Sequence, residues 1–167
     1  MSASSFHHLL ALIDDDKHAM WSVLDRAVEL AEAENARLTL AKTTAPGRVA
    51  VCMCSFVALG YAPPVSDEQL QAEASRRLAQ AAEFVPPTIP LCTVLLCADT
   101  ARGLRRLVQR GDYDLIVAGE RDLRHHPSLR RAIRKLGIAA LMVSEEPVAQ
   151  SRLLSREAFR PRPATQT

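Results

Sequence analysis

Leu9-Leu10-Ala11-Leu12-Ile13 runs straight into Asp14-Asp15-Asp16. Five apolar residues in a row leave no wet face, and so short a run suits a strand covered by helices on both sides. Three consecutive carboxylates cannot be buried unpaired, so the chain must surface where the run ends. In a parallel sheet that point is the carboxyl edge, where ligands usually sit. The run is therefore expected to be the central strand.

After it, Asp16 can cap a helix whose apolar positions Met20, Val23, Leu24, Ala27, Val28, Leu30 and Ala31 recur at spacings of three and four. Asn35 is its expected stop. Ala36 to Lys42 alternates, as a second strand with one less buried face would. Ser66 and Gln69 form a capping box for a second helix, with Leu70, Ala74, Leu78, Ala81 and Ala82 inward and Pro86-Pro87 at its end. Leu91 to Cys97 reads as a third strand. Asp99 or Thr100 caps a third helix, closed by Gly111. Tyr113 to Gly119 is a fourth strand, Ser128 is expected to cap a fourth helix that Gly137 stops, and Ile138 to Val143 is a fifth strand. Thr43 to Val65 reads as a long crossover excursion holding the apolar, cysteine-bearing piece Val49 to Leu59.

Strands alternating with amphipathic helices predict a three-layer α/β/α domain with a parallel sheet and right-handed crossovers. Residues 1–147 form that domain; Val148 to Thr167 is polar, dotted with proline and expected to be a flexible tail. A length of 167 residues gives one such domain a full core. Apolar content of 48% and charge of 24% are those of a soluble globule, and no apolar run reaches membrane-spanning length. The first apolar run has no basic flank, so no signal peptide is expected; the expected address is cytoplasmic and the four cysteines are expected to be reduced. A net charge of +2 predicts no strong polyanion affinity by itself, and 4% aromatics argue against a base-stacking surface. Neither nucleic acid nor membrane is an expected partner.

Four stretches together resemble the universal stress protein family. They are Leu9 to Asp14 (its first strand), Ala27-Val28-Glu29-Leu30-Ala31 (its first helix), Asp112-Tyr113-Asp114-Leu115-Ile116-Val117-Ala118-Gly119 (its fourth strand) and Ala139-Ala140-Leu141-Met142-Val143 (its last). The resemblance spans residues 6–144. It implies a Rossmann-like sheet of order 3-2-1-4-5, dimers that meet through the last strand and, in many members, ATP or AMP at the carboxyl edge. Nucleotide-binding members carry Gly-x-x-Gly, a spacer of about nine residues, then Gly-Ser or Gly-Thr. The glycines let backbone N–H groups approach phosphate, and the hydroxyl caps a helix whose positive end faces it.

Here Gly119 matches the first glycine, but Asp122 stands at the second. Counting the full spacer onward reaches Ala132-Ile133. With the loop shortened, Pro127-Ser128 takes the Gly-Ser place, and Pro127 has no N–H to donate. Either alignment breaks the cradle. Asp15 and Asp16 replace the family's small residues and add negative charge beside any phosphate. If a nucleotide binds, the resemblance places it on Asp14, Thr43, Gly119, Arg121 and Ser128.

Other constellations have plainer roles open to them. Arg121, Arg124, His125, His126, Arg130, Arg131, Arg134 and Lys135 could form an anion site, a docking surface for an acidic partner, or the wet face of a helix. Cys52-x-Cys54, Cys92 and Cys97 lack zinc-knuckle spacing, so no metal site is expected. His7 and His8 point to opposite faces of a strand and cannot chelate one ion together. A phosphate-receiver domain needs an Asp where Gly119 ends the fourth strand and a Lys where Ser144-Glu145-Glu146 follows the fifth.

The expected function is therefore a non-catalytic universal-stress-type regulator without a cofactor. It acts on a protein partner as a homodimer through Ile138 to Val143, whose bare edge would be sticky. The alternative is an ATP- or AMP-binding switch with a degenerate phosphate loop.

Overall fold

Five parallel strands form one sheet in the order β3-β2-β1-β4-β5. They are β1 His8–Ile13, β2 Arg37–Thr43, β3 Leu91–Leu96, β4 Leu115–Gly119 and β5 Ala139–Val143. The helices are α1 Lys17–Glu34, α2 Asp67–Phe84, α3 Thr100–Arg110, α4 Glu120–His125 and α5 Pro127–Leu136. The structure, a computed structural model, describes residues 6–13, 16–43, 67–96 and 100–144. The expected fold class, strand order and central strand are all found.

β1 is central for the expected reason: Leu9 to Ile13 are all buried, each face of the strand meeting its own helical layer. On one side Leu9, Ala11 and Ile13 pack with α1 and α2, through Val23, Leu24, Ala27, Leu78 and Ala81. On the other, Leu10 and Leu12 pack with Leu104 and Val108 of α3 and Leu129 and Ile133 of α5. Trp21 of α1 and Phe84 of α2 join the two helices of the first layer, ring centroids 4.8 Å apart. Among the described residues no helix is long and apolar enough to cross a membrane.

The caps follow the sequence where it is explicit. Asp16 accepts hydrogen bonds from the N–H groups of His18 (2.8 Å) and Ala19 (3.3 Å), closing the start of α1. Asn35 ends α1 in the left-handed region, φ 50°, which its short polar side chain tolerates. Gly137 ends α5 with φ 69°. Gly111 closes α3 for a different reason: a Cβ there would lie 2.5 Å from Cε2 of Tyr113.

Three expectations need correction. β2 has no wetter face: Leu38 to Lys42 are all buried, Thr39 and Lys42 included, because β2 lies one strand in from the edge under both layers. The loop expected after β4 holds a short helix, α4. Ser128 does not cap α5; the cap position is His126, with no side-chain bond, and Pro127 opens the helix. Proline suits that first position because its missing N–H would have had no partner there. The capping box at Ser66, the Val49 to Leu59 excursion, Asp99 and the tail from Val148 lie outside the described residues, as do Cys52, Cys54 and Cys97.

At the amino edge Asp114 ties β4 to β1. Its carboxylate accepts from the N–H groups of His7 (2.7 Å) and His8 (3.0 Å). Those bonds hold its pKa below the ordinary 3.8. The His8 ring lies 2.9 Å from Thr39 Oγ1 and 4.2 Å, centroid to centroid, from Tyr113. Burial first, then the charge of Arg37, pushes His8 below 6.5. Two pH windows follow. The folded state resists protonating His8, so stability falls as pH drops below 6.5; the Asp114 contribution, present above 3.8, is lost as pH falls further through its depressed folded pKa. Urea midpoints measured from pH 8 to pH 3 should show both declines. His8→Gln should flatten the first and Asp114→Asn the second.

Candidate functional site

The chain leaves β1 toward β2 and β3 on one side and resumes at β4 and β5 on the other. The crevice of a doubly wound sheet opens where that direction reverses, outside the carboxyl ends of β1 and β4. Of the residues expected there, Asp14 lies outside the described set. Thr43 is the last residue of β2, in register with Leu96.

Gly119 ends β4, is buried, and stands at the cap position of α4 with φ −70° and ψ 133°, a conformation open to any residue. α4 follows without a break, and its first turn carries Glu120 and Asp122, two carboxylates at the positive end of the helix. Its backbone joins the next helix through His126 N–H to the Asp122 carbonyl (3.0 Å) and Arg130 N–H to the His126 carbonyl (3.1 Å). The His126 ring sits 3.4 Å from the Asp122 carboxylate. Ser128 is exposed in the first turn of α5.

Arg121 is the expected site residue whose partner is clearest. Its guanidinium lies 3.3 Å from Oδ2 of Asp16, bridging α4 to the start of α1. Asp16 thus serves as helix cap and ion-pair partner together. The Ala19 N–H, followed by that of His18 and the Arg121 charge, holds its carboxyl below 3.8. Arg124 pairs with Glu120 at 2.9 Å. The structure therefore joins Asp16 to Arg121, with Gly119 two residues before Arg121 in the chain, while Arg130, Arg131, Arg134 and Lys135 of the basic run are exposed on α5.

Lys42 is the residue that sequence reasoning missed. It is 2% exposed, and its Nζ donates to the carbonyl of Ile13, the last residue of β1, at 3.4 Å. That bond holds the carbonyl at the carboxyl end of β1. The signal was parity: Lys42 shares its strand face with Leu38 and Leu40, both buried. Cys92 is a free, exposed cysteine on β3. Among the described residues no three His, Cys, Asp or Glu side chains are placed to hold a metal ion.

The sheet order, the helices on both faces and the crevice over β1 and β4 make this a doubly wound α/β domain of Rossmann-like class. The universal stress protein family profile matches residues 5–137, and the chain belongs to that family. A universal stress family protein from Burkholderia pseudomallei shares 19% identity and a TM-score of 0.59, over 85% of this chain and 98% of its own. The universal stress protein of Archaeoglobus fulgidus in complex with dAMP shares 16% identity and a TM-score of 0.60, over 83% of this chain and 98% of its own. A universal stress protein in complex with cAMP shares 21% identity and a TM-score of 0.53, over 86% of this chain and 100% of its own. At these identities the likeness is one of fold. No curated protein matches the chain in sequence.

Proposed function

We propose that this protein is a non-catalytic regulator of the universal stress type, cytoplasmic and homodimeric, that works by binding a protein partner and has lost or weakened its grip on ATP. The observation that carries this reading is α4. Where a phosphate loop would meet its anion, the chain starts a helix whose first turn carries Glu120 and Asp122, so two carboxylates stand beside the free N–H groups of that turn and repel phosphate. Arg121, which could have met a phosphate, is paired with Asp16. Pro127 has no N–H to offer at the start of α5. Dimerisation is supported by β5: Ala139, Ala140 and Met142 are exposed, and a groove between β5 and α1 is lined by Ser22, Asp25, Arg26, Glu29 and Leu141.

A second reading rests on the crevice itself. The relatives crystallised with dAMP and cAMP carry one phosphate, the least demand on a cradle. A monophosphate switch is therefore the alternative function, with the nucleoside toward Asp14. Calorimetric titration separates the two. ATP and AMP should give no saturable heat below about 1 mM, a binding free energy weaker than roughly −4 kcal/mol. Micromolar AMP binding that Asp14→Ala abolishes would establish the alternative. Micromolar ATP binding would overturn the proposal.

A further inference from the structure

The net charge of +2 conceals a sharp division of charge. α3 carries Arg102, Arg105, Arg106 and Arg110; α5 carries Arg130, Arg131, Arg134 and Lys135; neither helix contains an acidic residue. All eight are exposed. The two helices pack on the same face of the sheet, joined through Leu104, Val108, Leu129 and Ile133 beneath them. On α3 the cations fall at i, i+3, i+4 and i+8, which is a single stripe; on α5 they fall at i, i+1, i+4 and i+5. Apart from Arg102, none of them is in an ion pair among the described residues. The opposite layer differs: in both α1 and α2 the acidic residues outnumber the basic ones.

From this we infer that the α3/α5 face binds the phosphodiester backbone of a nucleic-acid duplex, without regard to sequence. The expectation of no nucleic-acid partner rests on net charge and on few aromatics, and neither reports how the charges are arranged or bears on backbone binding. Seven of the eight cations are arginine, whose planar fork matches phosphate oxygens bidentately. An acidic protein would also meet these charges, but stable protein interfaces centre on a buried aromatic or apolar anchor. The large exposed apolar residues among the described ones, Leu91 and Met142, lie on β3 and β5 rather than on this face. Backbone binding needs no anchor, since phosphate contacts supply essentially all of non-specific affinity. Single strands are the poorer fit, because the outward faces of α3 and α5 carry no aromatic platform for bases. The inference uses neither the crevice nor the β5 edge, so it stands or falls apart from the proposed function.

The test is fluorescence anisotropy of the full chain with labelled DNA and RNA duplexes of about 20 base pairs, at salt concentrations from about 50 to 200 mM. If about four cations meet phosphates, the log–log salt slope is about −3.6, and affinity falls about 100-fold across that range. Tighter binding of one duplex identifies the source, and equal binding marks a shared backbone mode. The variant R105Q/R106Q/R130Q/R134Q should bind at least about tenfold more weakly with a shallower slope, and R76Q/R77Q on α2 should bind as the parent does. Matching urea midpoints verify that both variants are folded. The inference is overturned if the parent binds neither duplex at the lowest salt with protein at about 100 μM. It is equally overturned if the fourfold variant binds as tightly as the parent, or if polyglutamate displaces the duplex as well as unlabelled duplex does, which would point to an acidic polypeptide.

Discussion

Ile116→Ala is expected to destabilise the folded chain by about 2–5 kcal/mol. Ile116 is 0% exposed, the second residue of β4, with Leu10 beside it on β1 and Ala140 on β5. Its side chain enters the layer formed by Leu104, Val108, Leu129 and Ile133, so truncation removes buried apolar surface and leaves a cavity that strands on both sides cannot easily collapse. For a domain whose whole stability is about 5–15 kcal/mol, that is a large fraction. Urea denaturation followed by circular dichroism measures it as a lower midpoint at unchanged slope. A loss under about 1 kcal/mol would mean that α3 and α5 do not pack on β4 as described.

Met142→Lys should turn the proposed homodimer into a monomer. β5 pairs with β4 along one side, and Met142 on it is 41% exposed. In a two-fold interface each residue meets the same patch of its copy, so one substitution places a desolvated charge in both halves. A lysine on an edge strand is also a common natural device against edge pairing. The expected weakening is on the order of 100-fold in dissociation constant, or about 2.7 kcal/mol. Light scattering behind size-exclusion at micromolar protein should show the mass halve. The folded monomer should survive, because this side chain is not part of the core. A parent protein that is already monomeric, or a variant dimer of unchanged affinity, would remove β5 from the proposal.

How much of this was legible beforehand varies with the kind of signal. The centre of the sheet was plain because Leu9 to Ile13 has no polar residue, and burial on both faces is the one environment that accepts that. The ends of α1 were plain because Asp16 and Asn35 each have one strong local preference, and both are realised. α4 was not: a six-residue helix with Leu123 as its buried side chain shows no periodicity. Pro127 did carry its own signal, since proline favours the first helical position over the loop before it, and that signal outweighs the hydroxyl of Ser128. Lys42 drew no reading of its own, although its parity with Leu38 and Leu40 points inward. At the site, Gly119 and Arg121 were picked out by their place after the fourth strand, and they lie at the start of α4. Their partners were not foreseeable, because the pairing of Arg121 with Asp16 spans 105 positions of sequence.

The strand order has a consequence for synthesis on the ribosome. β1 is translated first yet lies at the centre, and its two neighbours arrive far apart. β2 follows within one helix, but β4 emerges about seventy residues after β2 ends, a delay of roughly 4–15 s at ordinary elongation rates. Throughout that interval one flank of a strand carrying the apolar run Leu9 to Ile13 stands open in the nascent chain, an invitation to chaperones or to a neighbouring polypeptide until Leu115 to Val117 arrive to close it.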